Sequence, residues 1–254
     1  MLNMILSLPG LLSKNMEYRH EYKYILSKTD AAVIKERVAA VLKADPHGEN
    51  GYEVRSIYFD DERDTYYYQN EDGTDPRVKF RIRAYDGSDR YLVLEKKIKK
   101  NGMTKKLQKE ISLREMNLLM GEGITSVFAS KDGGTAVREH KANGPGEDLF
   151  NELMILRDIR LMRPKVIVSY HRTPFIEESG NVRITFDDGI LSTADMGEFF
   201  NEHIHGRNVL RENETLMELK FDEFLPEYIK EALECGFLNR ITFSKYYLCR
   251  RYHL

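Results

Sequence analysis

Three strand-like stretches in the middle of the chain carry one sign of charge on one face. In 77–85, Val78, Phe80, Ile82 and Ala84 alternate with Lys79, Arg81, Arg83 and Tyr85. In 90–99, Leu92, Leu94 and Ile98 share a face opposite Val93, Glu95, Lys97 and Lys99. In 104–113, Leu107, Ile111 and Leu113 leave Lys106, Gln108 and Glu110 on the other side. Successive side chains of a strand point to opposite faces, so Lys79, Arg81, Arg83, Lys97, Lys99 and Lys106 gather on one side of three neighbouring strands. Like charges facing one another across strands destabilise a sheet. A bound anion removes that penalty. The turn signals Asp86-Gly87-Ser88 and Asn101-Gly102 predict that these strands are joined as antiparallel hairpins.

The charge is local. Residues 77–114 hold 13 Lys and Arg against 4 Asp and Glu, while the whole chain has a net charge of −2 and a pI near 6.4. This asymmetry points to an anion site and away from a duplex-binding domain, so no nucleic-acid partner is expected. Five further stretches alternate in the same way: 19–26, 53–60, 164–172, 182–188 and 215–221. Their polar faces include Arg19, Glu21 and Lys23; Tyr170 and Arg172; Arg183, Thr185 and Asp187; and Glu218 and Lys220. A sheet of about eight strands closes into a barrel that holds side chains or one ligand. The expected fold class is therefore α+β: a closed antiparallel β-barrel forming a cation-lined tunnel, apolar residues outward, with helices packed outside. Helices are predicted over 29–43, 113–120, 147–161 and 226–235, and a loop or lid over 121–146.

Other classes lack support. There is no Walker A loop and no GxGxxG. No apolar run approaches the ~20 residues of a spanning helix. Cys235 and Cys249 cannot build a disulfide framework or a cysteine-based zinc site, which suits a reducing compartment such as the cytoplasm. Residues 1–16 are apolar but lack a basic leader and are broken by Pro9-Gly10, so they read as an N-terminal arm ahead of one domain over 17–254. His203 and His205 form an HxH without a third ligand at matching spacing. Tyr66-Tyr67-Tyr68 fits either a base stack at a tunnel mouth or an element packed on the barrel. Asp187 and Asp188 fit metal assistance, or, for Asp188-Gly189, a turn. Lys96, Lys99 and Lys100 fit a solvated hairpin end or a positive entrance.

An ordered set of segments resembles a known family. RHEYKYIL at 19–26, VRSIYFDD at 54–61, VKFRIRAYDG at 78–87, LVLEKKIKKNGMTKK at 92–106, RPKVIVSYHRTPF at 163–175, VRITFDDGI at 182–190, LMELKF at 216–221 and FSKY at 243–246 occur in sequence. Together they are similar to the VTC domain, the polyphosphate polymerase domain of the vacuolar transporter chaperone complex and its prokaryotic relatives. That domain lies within the CYTH-like triphosphate tunnel metalloenzyme superfamily. The resemblance implies a metal-dependent transfer of the ATP γ-phosphate to a growing polyphosphate chain. The alternatives are a triphosphatase of the same fold and a non-catalytic polyphosphate sensor. It implies a divalent metal (Mn²⁺ or Mg²⁺), ATP, triphosphate or polyphosphate as ligand, and a separate membrane-protein partner. By the same resemblance Arg81, Arg83, Lys97 and Arg172 are the expected catalytic residues. Lys23, Lys79, Lys106 (with Lys105 adjoining), Tyr170, Lys220, Ser244 and Lys245 are expected to bind substrate. Glu218, with Glu21 and Glu95, is expected at the metal. Thr242 stands where some relatives carry a basic residue, and Arg240 is the candidate replacement. Arg19 stands at the outer position of strand one, which removes an acidic ligand typical of hydrolytic members.

Overall fold

Local signals set the boundaries of the first elements. Strand β1 (His20–Ser27) passes directly into α1 (Lys28–Ala39), because Ser27 is also the helix N-cap and its hydroxyl accepts the Asp30 N–H at 3.0 Å. The two-residue β2 (Lys43–Ala44) precedes β3 (Tyr52–Asp60) and α2 (Thr65–Glu71). Strands β4 (Arg77–Tyr85) and β5 (Ser88–Lys100) are joined through Asp86-Gly87, at φ of 50° and 63°. Asn101-Gly102, at 51° and 76°, joins β5 to β6 (Met103–Ile111). Both pairs have the left-handed backbone that two-residue hairpins require. Helix α3 (Leu113–Met120) starts in a capping box of Ser112 and Glu115. Then come α4 (Pro145–Arg160), β7 (Arg163–Glu177), β8 (Val182–Thr193), the short β9 (Arg207–Asn208), β10 (Glu214–Phe221), α5 (Glu227–Leu233) and α6 (Lys245–Arg251).

This computed structural model describes residues 18–46, 48, 50–121, 145–234, 236 and 238–254. The expected N-terminal arm, most of the expected loop over 121–146, and Cys235 lie outside the described residues. All neighbours in the sheet are antiparallel, in the order β1-β10-β8-β7-β3-β4-β5-β6, with β2 on β7 and β9 on β8.

The closed barrel expected above is corrected. The sheet curls, but β6 and β1 form no ladder. Among the described residues their backbones pair at one bridge, between Arg19, just before β1, and Thr104, which exchange two hydrogen bonds of 2.9 and 3.0 Å. Further along β1, the Lys23 carbonyl instead accepts the Ile241 N–H at 2.9 Å. The C-terminal segment thus takes the place that β6 would occupy. β8 also runs on to Thr193 where a turn at Asp188-Gly189 was one expectation. A register shift between Ser169 and His171 and the left-handed Gly189 (φ 60°) carry it through.

Two apolar clusters hold the outer faces. Phe80, Ile82, Ala84, Leu92 and Leu94 are buried in a group that includes Met116, Leu119, Leu149 and Leu153 of α3 and α4. Ile184, Phe186, Met217 and Leu219 are buried with Ile34 and Val38 of α1 and Ile229 of α5. Each large apolar side chain removed from water contributes about 1.5–3 kcal/mol. The grease therefore lies outside the curl, and the polar faces of the strands look inward, as the alternation required.

Candidate functional site: a cation-lined cavity inside the curled sheet

A cavity of about 1470 Å³ runs inside the curl. Among the described residues, fifteen lysines and arginines line it against three carboxylates. Register brings them together. Lys79 faces Lys97, which faces Lys106; Arg81 faces Glu95; Lys23 faces Glu218; Arg183 faces Lys220.

Most inner cations are tied to a few carboxylates set in the wall. Glu95 is 2% exposed; its oxygens meet Arg81 at 2.6 Å, Lys106 at 3.1 Å and Arg83 at 3.5 Å. Glu21 meets Lys97 at 2.7 Å and Lys23 at 2.8 Å. Glu218 accepts from Lys220 and Lys245, each at 2.8 Å, with Lys23 and Arg172 at 3.8 Å. Asp187 is fully buried and takes a two-pronged grip from Arg172, both bonds 2.7 Å, with Lys245 at 2.6 Å. Such forks hold a guanidinium in one orientation.

The ionisation states follow. Burial alone would raise the Glu21 carboxyl, but Lys23 and Lys97 outweigh it and hold it well below the ordinary range. Burial is outweighed in the same way at Glu95, by Arg81 and Arg83, and at Glu218, by Lys220 and Lys245. Lys97, Lys106 and Lys79 move down, whereas Lys23 and Lys245, held by carboxylates, move up against burial. Burial, with Lys23 and Lys220 nearby, brings Lys97 down to about 7 despite Glu21. Burial, with Arg83 and Arg81, brings Lys106 down to about 8 despite Glu95. Lys79 is lowered well below its ordinary value by burial and by Lys97, Lys23 and Arg77. Its ammonium donates only to Asn70 Oδ1 at 2.9 Å and Ser244 Oγ at 2.6 Å, and lies 5.5 Å from the centre of the Tyr246 ring. Burial tends to raise Tyr170, but Arg172, Arg83 and Lys245 bring it below the usual phenol value.

Arg81, Arg83, Lys97, Arg172, Lys23, Lys79, Lys106, Tyr170, Lys220, Ser244, Lys245, Glu21 and Glu218 all line this one cavity. Glu95 stands apart: it lies behind the lining, enclosed by Arg81, Arg83 and Lys106. Lys106, rather than Lys105, reaches Glu95. Arg240 also lines the cavity beside Thr242, its guanidinium 3.8 Å from the centre of the Tyr22 ring. Sequence reasoning did not place Asp187 as the counter-ion of Arg172 and Lys245, nor Tyr58 and Asn70 on the wall. For Tyr58 the signal was the alternation Ser56, Tyr58, Asp60 in β3. Of the tyrosine triplet, Tyr66 and Tyr67 are buried in the core and Tyr68 is exposed, so the packed reading holds and the base stack does not. His203 and His205 are exposed on a loop, His205 beside Glu198.

Among the described residues, no group of three or more His, Cys, Asp or Glu comes together to hold a metal. Glu21 and Glu218 nevertheless share Lys23 on adjacent strands. Two carboxylates completed by phosphate oxygens suit Mg²⁺ or Mn²⁺, which seldom use an all-protein cage. Glu95 does not fit, because it does not line the cavity but stands behind Arg81, Arg83 and Lys106. Among the described residues, four buried polar atoms on the strands of the wall, Ser56 Oγ, Arg83 Nε, Arg183 Nε and Thr185 Oγ1, have no hydrogen-bond partner in the protein. Such atoms are rare unless water or a ligand satisfies them.

A curled, open antiparallel sheet around a cavity with this charge is a cation-lined half-barrel. The chain belongs to the VTC domain family, whose family model matches residues 18–253. No curated protein matches the chain significantly. Among solved structures, a candidate adenylate cyclase from Bacillus halodurans aligns at 15% identity, with 80% of each chain covered and a TM-score of 0.45. A candidate adenylyl cyclase from Hippeastrum, described as having a dominant triphosphatase activity, aligns at 12% identity. The alignment covers 86% of this chain and 85% of that one, with a TM-score of 0.45. The Mimivirus capping enzyme triphosphatase aligns at 13% identity, with 84% of each chain covered and a TM-score of 0.33. The family assignment rests on the family model and not on these three. Among the described residues, no helix is long and apolar enough to cross a membrane.

Proposed function

We propose that this chain is a polyphosphate polymerase that takes its phosphoryl groups from ATP. The observation that carries the reading is the cavity wall: cations on every side and carboxylates that orient them. Phosphoryl transfer needs positioning and charge neutralisation more than covalent help. A terminal oxygen of the bound polyphosphate attacks the γ-phosphorus, the bond from that phosphorus to the β-bridging oxygen breaks, and ADP leaves. Arg81, Arg83 and Arg172 hold the transferring group as bidentate forks, already aimed by Glu95 and Asp187. Lys97 supplies a mobile point charge beside them. Lys23, Lys79, Lys106, Lys220, Lys245, Ser244 and Tyr170 bind the rest of the anion. Each ammonium at ~4 Å from a phosphate oxygen contributes on the order of 4 kcal/mol before desolvation, at an effective dielectric near 20. Glu218 and Glu21 would hold a divalent ion, whose chemistry there is neutralisation of the phosphate oxygens.

The test is the product. Purified protein given ATP and Mn²⁺ or Mg²⁺ is expected to form ADP and chains that resist phosphatase-free washing but yield to an exopolyphosphatase. ADP with orthophosphate alone would overturn the polymerase reading in favour of a triphosphatase. Tight tripolyphosphate binding without turnover would leave a sensor.

A further inference from the structure

Lys79 sits among cations. Lys97 on β5, Lys23 on β1 and Arg77 on its own strand all bear on it. The wall carboxylates are held by other partners: Glu21 by Lys97 and Lys23, Glu95 by Arg81, Arg83 and Lys106. A buried charge without an opposite charge is costly. Negative charge reaches Lys79 from another side, from Asp60 at the end of β3.

Asp60 is not part of the cavity lining. It is 0% exposed, just before the turn from β3 into α2. One of its oxygens accepts the N–H groups of Asp61 and Tyr66, each at 2.9 Å. The other accepts the Tyr67 N–H at 2.9 Å and the Tyr246 hydroxyl. Four donors on two oxygens leave no lone pair for a proton, so Asp60 is an anion although burial pulls its carboxyl up. Holding the backbone N–H groups of a helix start needs no charge, since serine or asparagine does it as well. The charge and the fourth donor call for a second role.

Tyr246 stands between Asp60 and Lys79. Its ring is buried and lines the cavity, with the Lys79 ammonium 5.5 Å from its centre. It stacks on Tyr58 at 5.3 Å, and the Tyr58 hydroxyl accepts from Arg81 at 2.9 Å. Burial and Asp60 push the Tyr246 phenol up, so it stays neutral. An aromatic ring, and not water, fills the space between carboxylate and ammonium, so the attraction between them is weakly screened.

We infer that Asp60 is the counter-charge of Lys79, a positioning residue that acts on the anion site from behind the Tyr246 ring. The inference rests on the anion-binding reading of the inner cavity. Asp60 touches no ligand; it keeps the Lys79 ammonium charged and ready for one, at a distance that leaves the ammonium free to turn to a phosphate oxygen.

The experiment titrates the lysines of the full chain by carbon-13 NMR without ligand, with Lys79 assigned through Lys79→Arg. An opposite charge ~9 Å away at an effective dielectric near 20 moves a titration by about one pH unit. Asp60→Asn, and Asp60→Ser as a second charge-free cap, are expected to lower the Lys79 midpoint by that amount. Tyr246→Phe keeps the ring and the Asp60 charge, and is expected to stay within about 0.3 unit of wild type while melting lower. In tripolyphosphate titrations, the ratio of the Asp60→Asn Kd to the wild-type Kd is expected to climb up to about tenfold as pH rises through the Lys79 midpoints. A capping role alone lowers stability and leaves both the midpoint and that ratio flat. An unmoved midpoint in the charge-free variants, or a flat ratio, would overturn the counter-charge. So would a Tyr246→Phe midpoint lowered by a full unit, even if neither Asp60 variant folds. Failure of wild type to bind tripolyphosphate would sink the anion reading and leave the ligand-free test of Asp60 standing.

Discussion

Lys79→Met is expected to move stability and affinity in opposite directions. Lys79 has no ion pair with a carboxylate among the described residues, and Lys97 faces it across the β4–β5 ladder. At pH 6, below the value of about 7 to which Lys97 is lowered, two ammonium groups ~8 Å apart at an effective dielectric near 20 repel by about 2 kcal/mol. Methionine removes that repulsion and the burial penalty, and fills similar volume. Against this stand the lost bonds to Asn70 and Ser244, whose polar atoms can rehydrate in an open cavity. A net gain of about 1 kcal/mol without ligand is expected, which for a chain of this size raises Tm by roughly 2–4 °C. With ligand the sign reverses. A charge-assisted hydrogen bond to phosphate contributes about 1.5–3 kcal/mol, so tripolyphosphate should bind roughly 10- to 100-fold more weakly. The assay is thermal unfolding with and without saturating tripolyphosphate, since ligand stabilisation tracks affinity, backed by calorimetric titration. If the variant melts lower than wild type alone and gains as much from tripolyphosphate, the account of Lys79 as a charge held ready for an anion is wrong.

Three further outcomes follow from the same wall. Asp187→Asn strips the carboxylate from the Arg172 fork and from Lys245; breaking a buried pair costs about 3–5 kcal/mol, and Glu218 near both cations points to the lower end. Urea unfolding checks this, and a loss under about 1 kcal/mol would refute it. Lys97 and Lys106, lowered to about 7 and 8, are largely neutral in the free protein above pH 8, and an anion favours their charged forms. Tripolyphosphate binding should therefore take up protons near pH 8 and weaken as pH rises from 7 to 9; titration in buffers of different ionisation enthalpy reads the uptake, and none would count against it. The same lowered values mean the unfolded chain binds more protons in the pH 7–10 window, so these two groups make stability rise with pH there. Glu218→Gln should cut turnover by about 10²-fold or more while leaving tripolyphosphate affinity equal or tighter, because a repelling carboxylate is gone; a parallel fall in affinity would make Glu218 a structural brace only.

What could be read before the coordinates was what neighbouring residues decide. The alternation of Lys79, Arg81 and Arg83 with Phe80, Ile82 and Ala84 fixed which face is wet, since side-chain direction has period two. Asp86-Gly87 and Asn101-Gly102 fixed two hairpins, because their backbone must be left-handed. Pairings between distant segments were not legible. Asp187 becomes the partner of Arg172 only through the β7–β8 register beyond an irregularity at Ser169/His171. Closure was misjudged because it depends on where β1 and β6 end up after six intervening strands, and no local signal encodes that. α6 was missed too: KYYLCRR has no apolar stripe of its own, and only Ser244, accepting the Tyr247 N–H at 3.2 Å, marks its start.

Lys23 is bonded to the tail twice, its carbonyl to the Ile241 N–H and its ammonium to the Phe243 carbonyl at 2.8 Å. The last seventeen residues, from Leu238 onward, are therefore masonry and not trim. Cutting the chain before them would unroof the slit between the first and sixth strands and bare a raw strand margin, the kind of surface by which proteins stick to copies of themselves.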